Sequence, residues 1–221
     1  MSQRILVWDV PTRVFHWLYA LSFSGAYLTA ETERYRDVHV VLGYTLLGLI
    51  AFRLLWGFFG THYAKFRSFW FKPSEIVAYS LSLFKGNPKH YVGHNPAGSV
   101  AIWLLLALGI LSGVTGVVLF QDIGGDVMEV LHEATSNAML AVVFVHIAGV
   151  VVSSLMHREN LVRSMITGFK SAGSNEGIRR SYLWLGVIML VGVVTFWVDY
   201  PATGLVTTSE IVAQAGQHSH D

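Results

Sequence analysis

Apolar residues gather into five long runs separated by short polar or charged stretches: residues 11–30, 39–59, 96–120, 131–156 and 181–198. An α-helix needs roughly 20 apolar residues to cross a hydrocarbon core ~30 Å thick, so each run predicts a spanning helix. Local signals agree. Pro11 suits a first helical turn, Asn95 followed by Pro96 reads as an N-cap with its N1 proline, and Gly60 closes the second run. Between the second and third runs, residues 74–85 predict a short amphipathic helix. Ser74 caps it, Ile76, Val77, Leu81 and Phe84 lie in the membrane interface, and Gly86 stops it. Residues 121–130 read as an acidic loop turning at Gly124 and Gly125, residues 171–177 as a flexible linker, and residues 201–221 as a polar tail. The first run has a basic start and a small-residue end, as a cleavable signal does, but His16, Trp17, Tyr19 and Tyr27 inside it make it a retained helix.

Composition supports an integral membrane protein: 53% of the 221 residues are hydrophobic, 13% are charged, and mean hydropathy is +0.50. The net charge of +1 hides an asymmetry. The N-terminal end, residues 61–98 and residues 157–180 are basic, and basic segments stay in the cytoplasm. Residues 31–37, residues 121–130 and the tail, which lacks lysine and arginine, then face the periplasm. Five crossings satisfy this bias. The expected architecture is an all-α bundle in the bacterial inner membrane. Residues 1–170 form a four-helix core with a cytoplasmic 61–98 loop, and residues 171–221 add a linker, a fifth helix and a periplasmic tail. Trp8, Trp17, Trp56, Trp103, Trp184 and Trp197 fall near helix ends and read as an aromatic belt. No internal repeat, soluble domain, nucleotide motif or nucleic-acid signature is present.

The chain has ten histidines and no cysteine, which excludes disulfides, thiolate-bound clusters and covalent haem attachment. His132 and His146 share the fourth run. Fourteen residues of helix rise ~21 Å and rotate by a net ~40°, so both imidazoles lie on nearly one face at two depths. Ionisable groups in a span are costly and usually functional. Following the chain through its crossings puts His39 at the depth of His132, toward the outside, and His16 at the depth of His146, toward the inside. With no carboxylate at matching depth, each pair lacks the further ligands of a zinc site. Two facing imidazoles are what a six-coordinate haem iron requires, and two stacked haems make a transmembrane electron wire. Gly25, Gly43, Gly48, Gly109, Gly113, Gly116 and Gly149 give porphyrin rings room. Arg53 stands fourteen residues after His39, on the same face at the inner depth, where a haem propionate or a lipid phosphate would meet its charge. Arg13, one turn before His16, is a second candidate.

The segments VWDVPTRVFHW (residues 7–17), HVVLGY (39–44), FRLLWGFFG (52–60), YVGHNPAG (91–98) and HE…N…H…HREN (132–160) resemble the prokaryotic cytochrome b561/nickel-hydrogenase cytochrome b family. The resemblance spans residue 7 to about residue 170. It implies a four-helix core holding two non-covalent b haems through His16, His39, His132 and His146. It also implies electron exchange between the quinone pool and a periplasmic partner such as a hydrogenase, a dehydrogenase or a c-type cytochrome. It places a quinone site near the start of the third span, at His94, Asn95 and Gly98, residues that helix capping alone also explains. Outward faces rich in leucine and valine suit lipid or a further subunit. His157 reads as interfacial, His62 and His90 as loop residues, and His218 and His220 as tail residues. Two other functions stay open on sequence: a self-contained haem oxidase or reductase at the outer face, or a transporter or scaffold without haem. Fully ligated irons oppose the first, and the lack of broken helices and inverted repeats opposes the second.

Overall fold

A computed structural model describes residues 3–86, 88–172 and 177–200. Its elements are β1 (Gln3–Leu6), α1 (Val10–Thr29), α2 (Arg36–Phe59), α3 (Pro73–Phe84), α4 (Pro96–Phe120), α5 (Gly125–Met156), α6 (Leu161–Thr167), β2 (Phe169–Ala172) and α7 (Leu183–Asp199). α1 pairs with α2 and α4 with α5. α2 also lies along α4, and α7 lies along α1. α2 with its leading turn (Glu33–Phe59), α4 and α5 are long and apolar enough to cross a membrane. The polar residues Arg13, His16, Ser22 and Ser24 dilute the apolar run of α1, and the 17 residues of α7 rise only ~26 Å.

Asp9 starts α1. It is 1% exposed, and its Oδ1 accepts from the Thr12 amide at 2.8 Å as an N-cap, with Pro11 in the first turn. Its Oδ2 accepts from Trp56 Nε1 at 3.1 Å and from Thr61 Oγ1 at 2.6 Å, which ties the start of α1 to the end of α2. Asn95 starts α4 as expected, accepting from the Gly98 amide at 2.7 Å.

Several expectations are corrected. Helix α5 begins at Gly125, so the loop between α4 and α5 shrinks to residues 121–124. Asp122, Gly124 and Gly125 all have positive φ and make the turn. Asp126 then sits in the first helical turn, where a negative charge meets the helix dipole favourably. At 32 residues α5 is ~48 Å long and overshoots the hydrocarbon. Ser74 does not cap α3. Lys72 occupies the N-cap, Pro73 follows it, and Glu75 accepts from the Lys72 amide at 2.7 Å. On α3, Val77 and Leu81 are exposed as an interfacial helix requires, and Tyr79 is the side chain turned inward.

The short antiparallel pair β1–β2 was not legible in the sequence. It brings residues 3–6 against 169–172, so part of the expected linker is strand. Residues 173–176 of that linker lie outside the described residues, as does the tail with His218 and His220. Gly168 makes the approach possible. With φ at +87° it ends α6, and its carbonyl accepts from the amides of Val7 and Trp8 at 2.8 and 3.0 Å. A Cβ there would lie 2.7 Å from the Trp8 carbonyl oxygen. The fifth helix is tied into the bundle: Val10 N–H donates to Ser181 O at 2.9 Å, and Trp197 Nε1 donates to Thr45 Oγ1 at 2.9 Å. The aromatic belt is also partial. Trp184 is exposed, whereas Trp8 is buried and Trp56 is held by Asp9.

Candidate functional site

The loop from α1 to α2 is short, so the end of α1 lies beside the start of α2. His39 Nδ1 there sits 2.8 Å from the carbonyl oxygen of Ala26. On the α4–α5 pair, His132 Nδ1 sits 2.9 Å from Ser112 O and 3.2 Å from Thr115 Oγ1. A ring N–H donating to a carbonyl puts the other nitrogen, Nε2, in the unprotonated form that binds a metal. The two rings approach edge-on, with centroids 6.1 Å apart and planes 78° apart. A metal–imidazole bond is about 2 Å and a ring nitrogen lies about 1.1 Å from its ring centre, so two imidazoles that held one metal between them would stand about 6.2 Å apart. The observed spacing fits that arrangement. Gly116 makes room for His132, since a Cβ at this position would lie 3.0 Å from the ring's Cε1.

At the opposite end of the bundle, His16 on α1 lies within electrostatic reach of His146 on α5. His16 Nδ1 is enclosed without a hydrogen-bond partner. Arg53 is 4% exposed. Its guanidinium lies over the rings of Phe66 and Phe69, 5.0 and 5.6 Å from their centres, and its Nη1 is enclosed with no partner. Arg13 donates through Nη1 to the Ile166 carbonyl, while its Nε is also enclosed and unpartnered. Buried donors on two cations are costly to leave unmatched. This end of the bundle therefore has the donor set for an anionic group such as a carboxylate.

The profile of the prokaryotic cytochrome b561 family matches residues 7–168. That span covers most of the chain and includes both histidine pairs. The chain belongs to the prokaryotic cytochrome b561 family. It is similar to probable Ni/Fe-hydrogenase B-type cytochrome subunits from Azotobacter vinelandii and Rhizobium leguminosarum bv. viciae, each 26% identical over 75% of this chain and 88% of the relative. The protein of that name from Rhodobacter capsulatus is 22% identical over 76% of this chain and 81% of the relative. No solved structure matches. The protein is a membrane cytochrome b, a haem-carrying component of electron transport.

In this cytochrome the glycines divide by surroundings. A Cβ at Gly25 would meet Leu42, one at Gly113 would meet Leu47, and one at Gly109 would meet Tyr19, so these three lie at close approaches between helices. Gly43, one turn beyond His39, and Gly48 and Gly149 face open space.

His94 packs against the tilted rings of Trp8 and Phe69, 4.7 Å from each centre. Burial, and then the charges of Arg53 and Lys170, push its imidazole down to about 3, so it is neutral at physiological pH. Asn95 caps α4 and its Nδ2 donates to Ser153 Oγ at 3.5 Å, joining α4 to α5. Gly98 supplies the capped amide.

Sequence reasoning passed over three features of the cytochrome. Asp9 carries the aspartate-then-proline signal of a helix start, which could have marked it. Tyr79, 4% exposed beside Ser153, and the ion pair of Lys170 with Glu159 at 3.2 Å have no local signal, because their partners are distant in the chain.

Proposed function

We propose that this cytochrome carries electrons across the bacterial inner membrane on two b haems. In this reading His39 and His132 ligate the outer haem, and His16 and His146 the inner one. Arg53 and Arg13 meet the propionate charge of the inner haem. Bound haem supplies a reversible one-electron iron couple, and full ligation by imidazole suits electron transfer without ligand chemistry at the metal. The chain orients His39 and His132 through backbone carbonyls, excludes water with its aromatic inner end, and holds buried Arg53 and half-buried Arg13 where negative charge is to be bound.

The single observation carrying the reading is the 6.1 Å approach of the His39 and His132 rings with both Nδ1 atoms tied back to carbonyls. The basic loops support five crossings with the N-terminus in the cytoplasm and the C-terminus in the periplasm. The inner haem exchanges electrons with quinone near His94, Asn95 and Gly98, and the outer haem with a periplasmic redox partner. Because the relatives are named as Ni/Fe-hydrogenase subunits, a hydrogenase is the first partner to test.

A pyridine haemochrome assay on the purified protein tests the reading, with two b haems per chain expected. One haem, or none, overturns it. The quinone arm is tested separately: a short-chain quinone added to the reduced protein is expected to reoxidise it rapidly.

A further inference from the structure

At the basic end of the bundle, two side chains far apart in sequence, His90 and Lys170, converge on one carboxylate, that of Glu159. Glu159, in the turn after α5, accepts at Oε2 from Lys170 Nζ at 3.2 Å and lies 3.3 Å from His90 Nε2. Lys170 belongs to β2, where it pairs with Ile5 of β1, and its side chain is only 4% exposed. Its Nζ also donates to the carbonyl of Tyr91 at 3.4 Å. The ring of His157, at the end of α5, lies edge-on to His90 with centres 5.0 Å apart. The cluster therefore runs from His90, whose side chain is 41% exposed, through Glu159 at 15%, to buried Lys170.

A static clamp would satisfy every oxygen of its carboxylate. Here Glu159 Oε1 is enclosed and has no partner, an arrangement that is costly for a purely structural ion pair. Beyond Lys170 its charge reaches the buried start of α4. Lys170 acts electrostatically on His94, and Asn95, next in the chain, donates to Ser153. Burial pulls the Lys170 ammonium below its ordinary range while Glu159 opposes it, so the group can exchange a proton more readily than a solvated lysine.

We propose that His90, Glu159 and Lys170 form a proton-transfer chain between the cytoplasmic surface and the quinone region at His94 and Asn95. This rests on the quinone reading above and deepens it. Reduction of a quinone to a quinol takes two electrons and two protons. The electrons come from the haem-linked donor and the protons from cytoplasmic water. A proton enters at His90, passes to the Glu159 carboxylate and on to Lys170, and each group is reprotonated from the solvent side as it gives its proton inward.

The test uses the full-length cytochrome with both haems, reduced by a soluble one-electron donor and turned over with a short-chain quinone. Glu159→Gln keeps an acceptor for Lys170 but cannot carry a proton. It is expected to leave the haem spectrum and haem reduction unchanged while slowing quinone-linked turnover at least about tenfold. Small weak acids such as imidazole, supplied in solution, are expected to restore most of the rate, which a lost structural contact would not allow. His90→Gln, at the exposed end, is expected to show the same rescue with a smaller loss. An unchanged rate in Glu159→Gln, or a lost rate that imidazole leaves unrestored in both variants, overturns the proposal. If the unsubstituted protein itself fails to pass electrons to quinone, the underlying quinone reading falls, an outcome distinct from failure of the variants alone.

Discussion

His39 and His132 hold their rings 6.1 Å apart across the space between the α1–α2 and α4–α5 pairs, and each is anchored at Nδ1 by a backbone carbonyl from the helix behind it. Neither anchor depends on a side chain that could rotate away. The geometry is set by helix packing, so it is tested by removing a ring or by moving a helix.

Removing the ring comes first. His39→Ala or His132→Ala is expected to abolish the outer haem and leave the inner one, halving the pyridine haemochrome count to about one per chain. Spectra at low temperature should lose one of two α-band components. Equal loss of both haems in each variant would contradict the pairing by depth.

Displacing the ring is subtler. Gly116→Ala places a Cβ 3.0 Å from His132 Cε1 and 3.3 Å from Nδ1, so the imidazole must give by a few tenths of an ångström. The expected cost is about 1–3 kcal/mol. The outer haem's electron paramagnetic resonance signal should shift while the inner signal stays in place.

Arg53 tests the charge at the inner end. A buried cation beside a redox centre favours its more negative, reduced state. Arg53→Leu is therefore expected to lower the midpoint potential of the inner haem alone. Spectroelectrochemical titration reads this directly.

Asp9→Ala removes the acceptor for three donors, the Thr12 amide, Trp56 Nε1 and Thr61 Oγ1. Loss of the cap and of two buried partners is expected to cost about 2–4 kcal/mol. Thermal unfolding in detergent, followed by the haem band, should show a lowered midpoint. Asp9→Asn keeps an acceptor and should fall less.

His94 links stability to pH. Its folded imidazole titrates at about 3, well below its ordinary value of about 6.5. Below pH 6.5 the unfolded chain binds a proton that the folded protein does not, so the group disfavours folding progressively from there down to about pH 3. Above pH 6.5 it has no effect. The limiting slope is about 1.4 kcal/mol per pH unit. Acid unfolding of His94→Asn is expected to be shallower across that window.

How far the sequence could be read depended on whether a feature was local. The boundaries of α4 were legible at Asn95 and Pro96 because a cap and an N1 proline act within one turn. The relative depths of His16, His39, His132 and His146 were legible because helical rise is linear in residue number. The start of α5 was misplaced by about a turn and a half. Its first residues, with Asp126 and Glu129, are polar because the helix projects beyond the hydrocarbon, and polarity was read there as loop.

By itself the sequence determined that this is a helical membrane protein, which segments form its long apolar helices, and that four histidines sort into two depths, all consequences of apolar run length and helical period. Only the tertiary structure decided which carbonyls anchor His39 and His132, that Gly25, Gly109 and Gly113 lie against side chains of neighbouring helices while Gly116 lies against the His132 ring, that α7 is tied to α1 and α2, and that Glu159 meets Lys170 and His90. Those contacts join residues many tens of positions apart. Their geometry depends on the rotation and spacing of packed helices, which no local pattern encodes.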